Sequence, residues 1–287
     1  MSIPIPLPFL YRPIVHAALR EDLEHGDITT TLTIPKDMTG TAVIVAKEDA
    51  VIAGVFAARE AFLQLDPEAE FFDVCGEGET RRPHEVVMGV KGRLSAILQA
   101  ERVALNFLQR LSGIASLTRD FATQLAGLSC TVTDTRKTTP GLRLLEKFAV
   151  LAGGGKNHRF GLSDGVLIKD NHIAACGSVR SAVARARKAA PHTLLIEVEV
   201  SSTEALEEAV QAGADAVLLD NMTPDEVKEA VAFARGLKHD LILEASGGIN
   251  LTNVRAYGEA GVDIVSVGAL THSARAKDLS LRVLPSK

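Results

Sequence analysis

The chain has 287 residues, 46% apolar and 23% charged, with a formal net charge of -5. That length suits one barrel with a small second domain, since single cores rarely grow past roughly 250–300 residues. The acidic balance excludes general affinity for nucleic acid or anionic membranes, which need a basic surface, and Cys75, Cys130 and Cys176 lack the spacing of a disulfide framework or zinc site.

The three cysteines therefore read as buried thiols. The first residues are apolar, but Pro4, Pro6 and Pro8 break a helix there and no basic stretch precedes them, so this is not the pattern of a signal peptide. No run approaches the roughly 20 apolar residues of a membrane span, and a cytoplasmic location is expected.

Up to residue 95 the pattern is mixed. Gly40–Lys47 alternates like a strand, and Phe56–Leu65 reads as a helix. The helix expected over Ser95–Leu111, with Leu98, Val103, Leu105, Leu108 and Leu111 on its apolar face, should end at Gly113 and lead into a second domain.

From Cys130 onward β-rich runs alternate with helical stretches. The strands expected are Cys130–Arg136, Gly165–Asp170, Leu194–Val200, Ala216–Asp220, Leu241–Ala245 and Asp263–Val267. Most are continuous apolar runs, as parallel strands covered on both faces require. Helix signals lie between them: Ser201–Gly213 opens on serines and closes on glycine, and Thr223-Pro224 supplies an N-cap followed by proline at the first helical position.

Unusual residues follow six of these strands separately: Arg136 and Lys137, Lys169, Glu199, Asp220, Ser246-Gly247-Gly248 and Gly268. An open sheet gathers its chemistry at one switch point, whereas a barrel spreads it over many strand ends. The fold class expected is α/β, an incomplete TIM-like α/β barrel with an N-terminal α/β sandwich domain. The domains are drawn at residues 1–107 and 108–274, with the tail 275–287 packing on the first.

The loops Ser246-Gly247-Gly248 and Val267-Gly268-Ala269 follow the last two strands, where barrels bind phosphate. Glu199 and Asp220 offer oxygen ligands suited to Mg²⁺, although Glu197 shares a strand face with Glu199 and period alone does not choose between them. Residues 130–172 hold seven Lys and Arg against four acids, opposite in sign to the chain, and include Arg136, Lys137, Arg159 and Lys169, with His158 beside Arg159. Such a cluster suits a substrate with several negative charges.

The sequence resembles the quinolinate phosphoribosyltransferases over nearly its whole length. The resemblance is carried by Glu21–Asp27, Glu101-Arg102, Leu111–Ala115, Thr135–Arg143, Gly153–Arg159, Ile168–His172, Glu197–Glu199, Leu219–Asn221, Glu244–Ile249 and Val267–His272. It implies transfer of phosphoribose from phosphoribosyl pyrophosphate to quinolinate, with loss of CO₂, to give nicotinate mononucleotide in NAD biosynthesis. It implies Mg²⁺ as cofactor and at least a homodimer.

By the same resemblance Arg136, His158, Arg159 and Lys169 meet quinolinate, joined by Arg102 from a neighbouring subunit. Thr135, Lys137, Glu199 and Asp220 serve phosphoribosyl pyrophosphate, Glu199 and Asp220 also the metal, and the loops 246–248 and 267–269 hold the 5-phosphate. Rival readings are a related family associated with molybdenum transport, a nicotinate phosphoribosyltransferase, a barrel aldolase using Lys169 as a Schiff base, and a phosphate-binding regulator without catalysis.

Overall fold

The computed structural model describes residues 3–285, so residues 1, 2, 286 and 287 of the expected terminal segments lie outside the described residues. The chain opens with helix α1 (Pro8–Leu23) and a short α2 (Ile28–Thr33), followed by strands β1 (Thr39–Ala46) and β2 (Ala50–Val51). Helix α3 (Val55–Leu65), strands β3 (Glu70–Phe72), β4 (Thr80–Arg81) and β5 (Val86–Arg93), and the long helix α4 (Leu94–Gln124) come next.

Six strands follow: β6 (Thr131–Thr133), β7 (Val166–Ile168), β8 (Ile196–Val200), β9 (Ala216–Asp220), β10 (Ile242–Ser246) and β11 (Ile264–Ser266). Between and after them run α5 (Arg143–Gly153), α6 (Asp170–Cys176), α7 (Val179–Ala189), α8 (Thr203–Gln211), α9 (Pro224–Leu237), α10 (Val254–Glu259) and α11 (Ala269–His272), and β12 (Leu279–Val283) is the last element among the described residues.

Two compact units result, each discontinuous in sequence. The first takes in residues up to Arg119, Thr138–Gly154 and the chain from Leu270 on; the second takes in Asp120–Lys137 and Gly155–Ala269.

In the first unit an antiparallel sheet runs β12-β1-β5-β3, with Ile44 opposite Leu281 on one side and Met88 on the other. Tyr11 of α1 packs edge-on against Phe56 of α3 at 4.8 Å, and Phe56 against Phe148 of α5 at 4.9 Å, so aromatic contacts tie the helices together. Two expectations need correction here. Pro8 does not end helical structure but starts α1, its fixed φ suiting the first turn, and Pro13 lies within that helix. Gly113 likewise does not stop α4, which continues to Gln124; a Cβ there would collide with the Arg275 carbonyl oxygen, so the glycine serves close packing.

The second unit is a six-stranded parallel sheet in the order β6-β11-β10-β9-β8-β7. Its edges, β6 and β7, are consecutive in the chain and are not paired, and one parallel bridge from Thr133 to Lys156 extends the β6 edge. This is the incomplete barrel expected. Val198, Val217, Leu219, Leu243, Ala245 and Val265 are buried, which explains the continuous apolar runs. Two aspartates pin the strand starts: Asp215 accepts from the Ile196 amide at 2.8 Å and pairs with Arg187 at 2.6 Å, and Asp263 accepts from Leu243 at 2.8 Å and pairs with both arms of its carboxylate to Arg235.

Helix caps follow the sequence closely. Ser202 caps α8, and Thr223 with Glu226 forms a capping box on α9 with Pro224 in its first turn. Cys75 and Cys130 are buried free thiols, but Cys176 is half-buried at the end of α6. No helix among the described residues is long and apolar enough to cross a membrane.

Candidate active site

Because side chains alternate along a strand, the polar residues that interrupt the apolar runs of the second unit share one face. Register stacks them in tilted rows: Thr133, Ser266, Ser246 and Asp220 are partners across four strands, and Glu199, Leu218, Glu244, Ile264 and Thr131 across five.

At the carboxyl ends of the strands lies a cavity of about 350 Å³ lined by Thr135, Arg136, Lys137, His158, Arg159, Lys169, Glu199, Asp220 and Ser246, together with Leu167, Leu218, Glu244 and Ser266. Nine residues expected from the sequence thus meet on one wall. Gly247, Gly248, Val267, Gly268 and Ala269 belong to neighbouring loops but not to this lining, and Arg102 stands exposed on α4, lining a cavity in the first unit with Glu21, Asp22 and Arg110.

Each loop has a local reason for its shape. Asp134, fully buried just after β6, accepts from the His158 amide at 3.0 Å and the Asn157 side chain at 2.6 Å, which fixes the segment carrying His158 and Arg159 beside the 135–137 loop. The Thr135 hydroxyl accepts from the Lys137 amide at 3.0 Å. Gly247 has φ of 96°, and a Cβ on it would strike the Asn221 side chain and lie 3.0 Å from the Asn221 amide nitrogen, so glycine is required where the β10 loop crosses the β9 loop.

Electrostatically the mouth has two layers. Nearer the opening, Lys169 and Glu199 form an ion pair, and Asp220 accepts from the Asn221 side chain at 2.8 Å. Burial, reinforced by the like charge of Arg136, lowers the Arg159 pKa from its usual value, so this guanidinium sits where an anion would relieve it.

One layer deeper, His158 Nε2 lies 3.2 Å from Glu197 Oε2 and 3.6 Å from Glu244 Oε2. Its Nδ1 accepts from the Arg159 amide at 2.7 Å, which leaves the hydrogen on Nε2, facing the two acids. Burial first, then the charge of Glu197, pushes the Glu244 pKa up to about 7.

Glu197 and Glu199 therefore both face inward, at different depths. Glu199, beside Lys169 and the opening, can reach a metal held with a bound substrate; Glu197 serves the deeper cluster with His158. Glu244 and Ser266 were not singled out from the sequence, although Glu244 stands two residues before Ser246 and so had to share its face.

Residues 27–112 match the family model described as "Quinolinate phosphoribosyl transferase, N-terminal domain", and residues 114–282 the corresponding C-terminal domain. The chain belongs to the quinolinate phosphoribosyltransferase family.

Among its relatives, a "Probable nicotinate-nucleotide pyrophosphorylase [carboxylating]" of Bacillus subtilis is 46% identical over 92% of this chain and 90% of its own. The nicotinate-nucleotide pyrophosphorylase [carboxylating] of Mycobacterium leprae is 42% identical over 94% of this chain and 96% of its own. The crystal structure of NadC from Streptococcus pyogenes superposes with a TM-score of 0.92 at 41% identity, covering 98% of this chain and 100% of that one. Human nicotinic acid phosphoribosyltransferase, at 10% identity and a TM-score of 0.62, shares the fold alone.

Membership in the quinolinate phosphoribosyltransferase family disfavours the rival readings, and the site gives a physical reason against one of them. A Schiff-base lysine must present its Nζ to a carbonyl carbon, whereas Lys169 Nζ is engaged by the Glu199 carboxylate.

Proposed function

We propose that the chain transfers phosphoribose from phosphoribosyl pyrophosphate to the ring nitrogen of quinolinate and releases pyrophosphate and CO₂, forming nicotinate mononucleotide for NAD biosynthesis. The observation that carries this reading is one cavity that brings Arg136, His158, Arg159 and Lys169 together with Glu199, Asp220 and Ser246. It offers a cationic clamp for a dicarboxylate beside acids and a hydroxyl for a phosphorylated ribose.

In this reading Arg136, Arg159 and Lys169 hold the carboxylates, and Lys137 and Thr135 face the pyrophosphate. The 246–248 and 267–269 loops bind the 5-phosphate. Departure of pyrophosphate leaves positive charge on the ribose and negative charge on the leaving group, and fixed cations meet the latter without reorganising. Attack by the pyridine nitrogen then quaternises the ring, and the positive nitrogen accepts the electrons released with CO₂. The strongest pairing falls on the 3-carboxylate, since a tight clamp on the departing 2-carboxylate would stabilise the ground state.

Glu199 and Asp220 fit a Mg²⁺ site as a purely carboxylate donor set on adjacent strands, with room left for water and phosphate oxygens. Mg²⁺ would supply charge neutralisation of the pyrophosphate. A Glu199 drawn toward that ion would loosen its hold on Lys169 and leave Nζ more open to a substrate carboxylate, so the two substrates would prepare one another's sites.

Arg102 is assigned to the quinolinate site of a neighbouring subunit, in a homodimer or larger homo-oligomer working in the cytoplasm. If so, Arg102→Ala and Lys137→Ala proteins, each inactive alone, regain activity when subunits exchange, through the one site that inherits both residues. No recovery despite proven exchange would place Arg102 in its own subunit's site. The reaction itself is tested by following CO₂ and pyrophosphate release from quinolinate and phosphoribosyl pyrophosphate, with and without Mg²⁺.

A further inference from the structure

Glu244 has no part in the assignments above, yet it is the most deeply buried acid of the mouth, at 1% exposure. It lies within β10 between two apolar register partners, Leu218 of β9 and Ile264 of β11. Its Oε2 faces His158, while Oε1 has no hydrogen-bond partner among the described residues. A buried polar atom left unpaired is costly to keep and calls for an explanation.

Its position supplies one. Glu244 lines the mouth cavity and also a second cavity, of about 260 Å³, deeper in the barrel. That bore includes Thr131, Ala216 and Ile242 from the lower strand ends, and Lys156, Asp164 and Leu195, all exposed, connect its wall with solvent. Glu244 thus stands as a partition, with substrate space on one side and a route for water on the other.

The reaction makes one demand that no residue has yet met. When the bond between C2 and its carboxylate breaks, the electron pair stays on C2 beside the quaternised nitrogen, and that pair must take up a proton. We propose that the Glu244 carboxyl delivers this proton to C2 at the cavity floor. The O–H bond breaks and the C–H bond forms; the electrons of the former remain on the carboxylate, which regains a proton from water through the bore. One proton is drawn from solvent for each CO₂ released. This inference rests on quinolinate being the substrate.

The surroundings of Glu244 suit such an acid. Burial and the charge of Glu197 on β8 raise its pKa to about 7, against the opposing effects of His158, the Ser266 hydroxyl on β11 and Lys169 after β7. It therefore keeps its proton near neutrality and can still surrender it. A cation shared by His158, Glu197 and Glu244, whose donor atoms lie within 4.8 Å of one another, fits less well. With Nδ1 accepting from Arg159, His158 turns an N–H and not a lone pair toward the acids.

The test is Glu244→Gln, which keeps the shape and removes the transferable proton. Nicotinate mononucleotide formation is followed by rapid quench in single turnover, with both substrates saturating, across pH. In the wild type the rate should fall as pH rises past about 7, because the acid must be protonated. The variant should be slower by about 100-fold or more, with half-saturation by quinolinate within about threefold of wild type and without that alkaline fall.

Equal rates, a loss confined to half-saturation, or an unchanged pH profile would overturn the proposal. Equilibrium quinolinate binding and the melting temperature of the variant establish that it is folded and loaded. A wild-type protein that does not turn over quinolinate would instead overturn the functional reading.

Discussion

The two layers of the barrel mouth treat charge in opposite ways. Nearer the opening, acids and cations lie side by side: Lys169 pairs with Glu199, and Arg136, Lys137 and Arg159 line the same wall. One layer down, two acids face a single histidine, and Glu244 is raised toward neutrality instead of being matched by a cation. The upper layer is arranged to exchange its internal pairs for a charged ligand. The lower layer holds an acid whose burial favours its protonated form.

The largest test of that contrast is at the clamp. Arg159→Ala or Lys169→Ala should lower kcat/KM for quinolinate by about 1,000-fold, since each removes a charge-assisted contact in a shielded site. Steady-state kinetics with each substrate varied would show it. A loss of equal size in phosphoribosyl pyrophosphate saturation alone would put these cations on the other substrate.

Next come the upper acids. Glu199→Gln and Asp220→Asn should lower kcat by about 100-fold and raise the Mg²⁺ concentration needed for half-maximal rate. Glu197→Gln, two residues from Glu199 but one layer deeper, should leave the Mg²⁺ requirement unchanged; a shared shift in all three would erase the distinction between layers.

Asp134 supports both layers by holding the His158 segment. Asp134→Ala strands the His158 amide and the Asn157 side chain and should cost about 1–3 kcal/mol of stability, read from denaturant unfolding, along with activity. The smallest effect is in pH-dependent stability. Because the Glu244 pKa is raised on folding, the native state binds its proton more tightly, so its contribution is greatest below the usual glutamate pKa and is lost as pH rises to about 7. Glu244→Gln should flatten that part of the melting-temperature profile.

Much of this arrangement was legible in the sequence because strand ends announce themselves. Ala216–Asp220 was bounded correctly, since an apolar run ending in an acid leaves little choice, and Thr223-Pro224 fixed the start of α9. Gly113 misled because a helix-ending glycine and one that admits a neighbouring carbonyl look alike until Arg275, far along the chain, is in place. Pro8 misled for a related reason: proline forbids a helix interior but favours its first turn.

The division of labour between Glu197 and Glu199 could not be read from period two, which gives a face but not a depth. Depth comes from strand register and from His158, which reaches the barrel from a loop nearly 40 residues earlier, held by Asp134. Glu244 was passed over because an acid inside a motif otherwise notable for its glycines draws attention only once its burial is known.

The central claim is that this mouth takes a dicarboxylate and discards one carboxylate. The direct measurement offers quinolinate and nicotinate separately, each with phosphoribosyl pyrophosphate and Mg²⁺, and follows nucleotide and CO₂ together. Formation of nicotinate mononucleotide from quinolinate with one CO₂ per pyrophosphate, and little or no turnover of nicotinate, is the result expected. Efficient use of nicotinate, or nucleotide formation from quinolinate without CO₂, would contradict it.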